Sequence, residues 1–458
     1  MISSPIHRVL KFLNSCFLEN YLVNLMSWYW LFSAISKFFG DLDRRIKVLF
    51  FFIGLHSFDR ALTAQYNQLY AKALGASAIV LGTLNSTQSI ASSLVSVPTG
   101  WLSDRYGNKT VILIGLVLTV STSFIYAVAG NWWILIPAIL LYACSQTQVV
   151  KFVDIFFINL VKPEQRGVIM SLSRMLWAII SIFAPMFAAV VITNSGGLNA
   201  PLGGGIRPLY YIQFGVGVLV FFSIFFLLKN PEKSVEKQNS LEKKGNFLQD
   251  FRDVFSGEGG KYCKRWVVLF VCHGFGPRVA SAFVPLWLVM KGADPYVLGI
   301  MGTIQIIVAL FIQVPAGRLS DKIGRKKAFS LFWPFGVLGT LLIIFAPSTE
   351  YLFLASVFGY FGANTGIGVS GGLFGGFSIP FFTMEHELVP AEMRGRWMGI
   401  IGIISIFSFP ASILGGLMWQ LEWYIPVLLF PVAVQGLIMM PLVHTIPETL
   451  KQHPVEVQ

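Results

Sequence analysis

Gly100-Trp101-Leu102-Ser103-Asp104-Arg105-Tyr106-Gly107-Asn108-Lys109 returns 217 residues later as Gly317-Arg318-Leu319-Ser320-Asp321-Lys322-Ile323-Gly324-Arg325-Lys326. Each copy is a short charged loop set between two long apolar runs. Two further landmarks repeat in the same order. Arg166-Gly167, after Pro163, returns as Arg394-Gly395, after Pro390, at an offset of 228. Asn230-Pro231-Glu232 returns as Ile446-Pro447-Glu448 at an offset of 216. Three landmarks at near-constant spacing mark a duplicated unit of about 217 residues.

Around these loops the chain is dominated by apolar residues. Of its 458 residues, 55% are hydrophobic and 12% charged, with a mean hydropathy of +0.68. Soluble chains carry about 25% charged residues, so a cytosolic enzyme, a nucleic-acid binder and a disordered protein are all excluded. A membrane helix needs about 20 mostly apolar residues. Twelve such runs follow one another, near 47–70, 78–99, 110–129, 132–158, 168–193, 209–228, 266–290, 296–316, 327–346, 351–386, 397–419 and 423–445. They are continuous rather than alternating, which argues for helices and against a membrane barrel. The expected fold is an all-α membrane protein of two six-helix bundles, 46–228 and 266–446. A cytoplasmic linker of 229–265 joins them, and 447–458 form a tail.

The net charge of +12 is placed by position rather than by a nucleic-acid partner. Arg105, Lys109, Lys162, Arg166, Arg318, Lys322, Arg325, Lys326, Lys327, Arg394 and Arg396 fall in loops on one side, with the linker bases. Lys72, Arg207 and Lys291 fall on the other. That asymmetry puts both ends of the bundle in the cytoplasm of a plasma-membrane protein. The four cysteines form no CxxC pair and read as small hydrophobes. No metal or cofactor motif appears. Residues 1–45 hold an aromatic stretch, 17–39, broken by Glu19, Asn20, Asn24 and Lys37. It is expected as an interfacial amphipathic segment, with a thirteenth span as the alternative.

The paired Gly-x-Leu-x-Asp-x-x-Gly-x-Lys loops, in the second and eighth gaps and followed by Arg-Gly loops, resemble the signature of the major facilitator superfamily over about residues 46–450. The second copy fits fully; the first has Asn108 where the family usually has arginine. The resemblance implies a secondary transporter that works by alternating access. It also implies a cytoplasmic gate built from Gly100, Asp104, Gly107 and Lys109 in one half, and from Gly317, Asp321, Gly324, Arg325, Glu387 and Arg394 in the other. The glycines are expected to permit a tight turn, and the aspartates to take helix-start amides or an arginine.

Ionisable groups inside spans are costly and mark function. His56, Asp59 and Arg60 lie on one face of the first span, and His273 and Arg278 in the seventh are near-repeats of His56 and Arg60. Span four holds Lys151 and Asp154, and span five Arg174. By resemblance, the first and fourth helices of each half line the central cavity. His56, Arg60, Lys151, His273 and Arg278 are thus the expected substrate-binding residues, an excess of cations suited to a small organic anion. Paired arginines in spans one and seven resemble the organophosphate antiporters; the other reading is neutralisation between buried neighbours. Asp59 and Asp154 are the expected proton-coupling residues, unless Arg60 simply holds Asp59 ionised.

Two features concern movement. Ala184-Pro185-x-x-Ala188-Ala189 resembles a degenerate Gly-Pro-x-x-Gly-Gly motif of drug–proton antiporters. The tenth run is about eleven residues longer than the fourth and holds Gly366, Gly368, Gly371, Gly372, Gly375 and Gly376. A broken tenth helix at the cavity wall is expected, with a long outer loop as the alternative. The function expected is a proton-coupled or exchange-driven carrier of a small solute, not an enzyme, working as a monomer. Efflux of amphipathic drug-like compounds is the alternative within transport, and a transporter-like membrane sensor the alternative outside it.

Overall fold

The computed structural model describes residues 44–106, 108–146, 166–227, 255, 257–365, 370–389 and 394–451, although not the side chains of 44–45, 96–106, 108, 166–172, 174, 257–259, 394–396, 398–399 and 451. Residues 50–458 form one compact unit; of the other, 1–49, only the start of the first helix is described. Among the described residues every regular element is helical, because in hydrocarbon a helix satisfies its own backbone polar groups. Among the described residues eight helices are long and apolar enough to cross a membrane.

In chain order the first half comprises α1 (Arg44–Thr63), α2 (Asn67–Ala73), α3 (Ala78–Tyr106), α4 (Asn108–Val128), α5 (Trp132–Gln146), α6 (Arg166–Ser181), α7 (Phe183–Asn194) and α8 (Arg207–Leu227). The second comprises α9 (Gly257–Ser281), α10 (Val284–Met290), α11 (Pro295–Ile323), α12 (Arg325–Phe345), α13 (Thr349–Phe358), α14 (Ser378–Glu387), α15 (Arg394–Ile404), α16 (Pro410–Gln420), α17 (Tyr424–Val434) and α18 (Met440–His444). The seventh span starts at Gly257, inside the segment expected as linker. Residues 1–43 and 228–254 lie outside the described residues.

The duplication is visible in the backbone. The first span of each half breaks at the same repeat position, between α1 and α2 and between α9 and α10. Tyr66 N–H donates to the Thr63 carbonyl at 2.9 Å, and Phe283 N–H donates to the Ala280 carbonyl at 2.8 Å, each residue 217 places after its counterpart. Ala76 N–H to Ala71 and Ala293 N–H to Leu288, which close the following helix, repeat in the same way.

Between the repeats the most extensive helix crossings are α3 with α16 and α7 with α11. At both crossings the backbones touch through a glycine. A Cβ on Gly82 would collide with the Ser412 carbonyl oxygen; one on Gly299 would meet the Pro185 carbonyl oxygen at 2.9 Å and the Ala189 Cβ at 2.8 Å. Gly82 and Gly299 are 217 residues apart, and Pro185 and Ser412 are 227 apart. The same contact is therefore made twice, once by each copy.

The tenth run is broken. After α13 the chain leaves the helix at Gly359, resumes in a 3-10 turn at Leu373–Phe377 and continues as α14. Residues 366–369, with Gly366 and Gly368, lie outside the described residues; at 359–361, 365, 371 and 372 the irregular stretch is buried in protein. Gly372 N–H donates to the Gln305 carbonyl at 3.0 Å and Phe361 N–H to Thr340 Oγ1 at 3.1 Å. Phe361, Phe374, Phe377 and Phe381 stack in series beneath it. Gly372 has φ +66°, and a Cβ there would strike the Gly359 nitrogen. Gly372→Ala is therefore expected to cost about 1–3 kcal/mol, read as a lower melting temperature in detergent. Gly317→Ala, in a helix with open space around it, should leave that temperature unchanged or raise it slightly.

Candidate functional site

The stripe of polar residues along α3 explains why that helix is less apolar than its neighbours. Asn85, Gln88, Ser89, Ser92 and Ser93 recur at helical spacing and face a cavity of about 530 Å³. The cavity sits at the two symmetric breaks: Ala64 and Gln68 flank the first, Ser281 and Pro285 the second. Ala363 and Asn364, from the broken tenth run, and Gly402, Ser405 and Ser412, from the eleventh, complete the wall with Arg278. Both repeats thus contribute. Ser93 and Ser405 hydroxyls share a hydrogen bond of 2.8 Å between them, and Asn364 Nδ2 donates to the Ala64 carbonyl at 3.1 Å.

Arg278 is the one charged residue in this wall. Its backbone carbonyl accepts from Ser412 Oγ at 3.0 Å, which ties α9 to α16. Its side chain lies back over the preceding turn, as helical side chains do, and occupies the space above Gly274. A methyl group on Gly274 would stand 2.5 Å from Arg278 Nη1 and 2.8 Å from Ser408 Oγ. The Ser408 hydroxyl is buried without a partner.

Of the other expected substrate ligands, the described ones, His56, Arg60 and His273, do not line the cavity. Arg60 precedes Ala64 by four residues, whereas Arg278 precedes Ser281, the repeat counterpart of Ala64, by three. One residue turns a side chain by about 100° around a helix, so the second arginine faces the cavity and the first does not. The position equivalent to Gly274 is also Ser57, which offers no such room. His273 packs into the aromatic cluster, 4.5 Å from the Phe381 ring and 5.5 Å from Phe377. His56 stacks on Phe52 at 5.8 Å. Lys151 and Asp154 lie outside the described residues, and of the Arg174 side chain nothing is described.

Asp59 is buried one turn from His56, and its Oδ1, His56 Nε2 and Arg60 Nε have no hydrogen-bond partner. Gln213 Nε2 of α8 donates to the Asp59 carbonyl at 2.6 Å and to Thr63 Oγ1 at 3.0 Å. This is a compact ionisable cluster in the first span, separate from the cavity wall.

Among the described residues expected as a gate, Arg325, Asp321 and Glu387 pair with one another inside the second half. Arg325 donates to Glu387 at 3.0 and 3.4 Å, to Ser320 Oγ at 3.2 Å, and pairs with Asp321. Thr449 Oγ1 donates to Glu387 at 2.5 Å. Glu448, rather than either loop aspartate, accepts the first amides of α12, from Arg325 N at 2.8 Å and Lys326 N at 3.2 Å. Gly324 makes the turn, with φ +98°; Gly317 sits within α11 and Gly100 within α3. Lys109 and Lys326 act alike. Each reaches carbonyls at the end of the last helix of its own half, Phe225 at 3.0 Å for Lys109, and His444 at 3.1 Å and Ile446 at 2.7 Å for Lys326. Gly107 and the side chains of Asp104 and Arg394 are not among those described. Glu385, also in α14, accepts from Trp397 Nε1 at 3.3 Å.

The neutral lining stands out less in the sequence than the charges do. Its signal was there: Asn85, Gln88 or Ser89, and Ser92 fall three to four apart within an apolar run. Asn364 and Ser412 stand alone and carry no such periodicity.

Comparison with known proteins adds three findings. Residues 49–416 match the family model of the Major Facilitator Superfamily. The quinolone resistance protein NorA of Staphylococcus aureus is 28% identical over 199 residues, 42% of this chain and 47% of NorA. Multidrug resistance protein 2 of Bacillus subtilis is 23% identical over 267 residues, 57% of this chain and 63% of that protein. The chain thus matches about half the length of the first of these and under two thirds of the second. Among solved structures, the D-xylose-proton symporter superposes with a TM-score of 0.65 at 15% identity, covering 90% of this chain and 99% of that one. A bacterial homolog to the human lysosomal transporter Spinster, inward-facing and unoccupied, gives 0.63 at 15%, covering 89% and 92%. These likenesses establish the shared fold of a multi-pass membrane protein.

The glycine contacts make one end of the cavity sensitive to side-chain volume. Gly82→Trp, with spin labels at Thr83 and Leu417, is expected to lengthen the distance between α3 and α16. Gly299→Trp should do the same between α7 and α11. Unchanged distance distributions in both variants, measured by pulsed electron resonance, would remove the glycines as closure points.

Proposed function

The chain belongs to the major facilitator superfamily, and from that premise we propose that it is a secondary active transporter carrying a small solute across a plasma membrane by alternating access. The observation that carries this is the cavity shared by both repeats, placed at the symmetric breaks of their first spans and bounded by the Gly82 and Gly299 contacts. Discontinuous helices around a central site are how carriers of this kind expose polar backbone and side chains to a solute. The two bundles, 46–228 and 266–446, rock about this site; the charge asymmetry of the loops supports both bundle ends lying in the cytoplasm. The gate residues Arg325, Asp321 and Glu387 pair within their own half, and among the described residues they make no hydrogen bond to the other half. That fits a conformation open on the side of those loops and closed at Gly82 and Gly299.

Coupling to protons is assigned to Asp59. Its carboxyl is buried, one oxygen is unpartnered, and His56 and Arg60 flank it on the same helix. A carboxyl in such a place changes the balance of the first span when it gains or loses a proton. Proton-driven efflux of drug-like compounds is the second reading, favoured by the similarity to NorA and to Multidrug resistance protein 2.

In proteoliposomes, Asp59→Asn is expected to abolish accumulation driven by a pH gradient while leaving solute exchange intact. Accumulation that persists in the variant would exclude Asp59 as the coupling group. Absence of any exchange by the wild-type protein would count against transport itself.

A further inference from the structure

The chemistry of the cavity wall is one-sided. Its fifteen lining residues include five amide or guanidinium side chains, Gln68, Asn85, Gln88, Asn364 and Arg278, and six serines. There is no carboxylate and no aromatic ring among them. The ion pairs among the described residues join Arg325 to Asp321 and Glu387; Arg278 takes part in none. Among the described residues no anion stands opposite its guanidinium. A charge withdrawn from bulk water without a counterion is expensive unless something else answers it. The unpartnered Ser408 hydroxyl beside it adds a donor that has no acceptor.

Resting on the reading of this cavity as the transport site, we propose that the site selects a small polyhydroxylated solute with a single negative charge, a sugar acid or hydroxy acid. The carboxylate sits on the Arg278 fork, the geometry a guanidinium matches with two parallel hydrogen bonds. The hydroxyls are read by Asn85, Gln88, Asn364 and the serines, each of which can donate to or accept from a hydroxyl. A solute without those hydroxyls forgoes these bonds, and a site built to bond a hydroxyl discriminates against an analogue that lacks it. An organic cation meets an uncompensated like charge and no aromatic face to stack on. A dianion brings a second charge for which the described part of the wall has no second cation. The cavity volume lies in the range of small-molecule sites.

Three probes with the same six-carbon skeleton separate these cases: glucitol (uncharged), gluconate (one charge) and glucarate (two charges). Tetraphenylphosphonium is the fourth, as an aromatic cation. Each is tested for thermal stabilisation of the purified full chain at about 10 mM, well above the Kd of a weak site, and for counterflow in proteoliposomes. Gluconate should stabilise the protein and exchange at least about tenfold better than glucitol or glucarate, a difference of about one decade in affinity. Arg278→Gln should bring gluconate down to the level of glucitol, and Arg278→Lys should retain part of the preference. Should the glutamine variant not fold, the ranking of the four probes on the wild-type chain decides alone. Equal or better performance by glucitol, glucarate or tetraphenylphosphonium, or stabilisation by none of them, overturns the proposed class. Stabilisation by gluconate without counterflow would keep the class and overturn the transport reading; counterflow of tetraphenylphosphonium alone would do the reverse.

Discussion

A guanidinium enclosed by helices needs room, an anchor for its backbone and something to face. Arg278 has the first two from this chain alone. Gly274 leaves the volume that the side chain fills, and Ser412 holds the Arg278 carbonyl from the neighbouring helix. For the third, the cavity offers no carboxylate among its described lining residues. Around that fixed charge the rest of the site follows: α3 turns its polar stripe inward, the broken tenth run delivers Asn364, and the first span of each half opens at the same repeat position.

The duplication explains the scaffold and the departures from it explain the site. Turn hydrogen bonds at Tyr66 and Phe283, and glycine contacts at Gly82 and Gly299, are kept because both copies pack through backbone atoms, where side-chain identity matters little. Side chains have drifted. Arg60 and Arg278 differ by one residue in register, and Ser57 stands where the other copy has Gly274. A single step along a helix swings a side chain by about 100°. That is enough to move one arginine from the cavity wall into a cluster with His56 and Asp59, and it makes a symmetric backbone carry one charge instead of two.

What could be read from the sequence divides along the same line. The helical class, the repeat and the broken tenth run were legible, because each depends on composition or spacing over many residues. The motif loops were legible as loops, yet their hydrogen bonding was not: the cap of α12 comes from Glu448, more than a hundred residues away in the chain. The cavity wall was the least legible part. Serine, asparagine and glutamine cost less inside a bundle than a charge and so stand out less against an apolar run. Charges drew the reading to His273, which the structure stacks among phenylalanines, and away from Gln88 and Asn364.

The same distinction bears on how far the drug-resistance relatives reach. Their similarity extends over 42% of this chain in one case and 57% in the other, and helix-packing residues alone can sustain identity at that level. Substrate choice is made by side chains that face the cavity, and the described ones include amides, hydroxyls and one guanidinium beside alanines and a proline. A site for bulky amphipathic compounds works through adaptable apolar and aromatic surface. In this chain the phenylalanine-rich surface is spent elsewhere: Phe329, Phe374, Phe377 and Phe381 pack against one another around His273 in the second half. Kinship with drug-resistance proteins and a hydrophilic site are therefore compatible, because a fold held by backbone contacts leaves its cavity free to change chemistry.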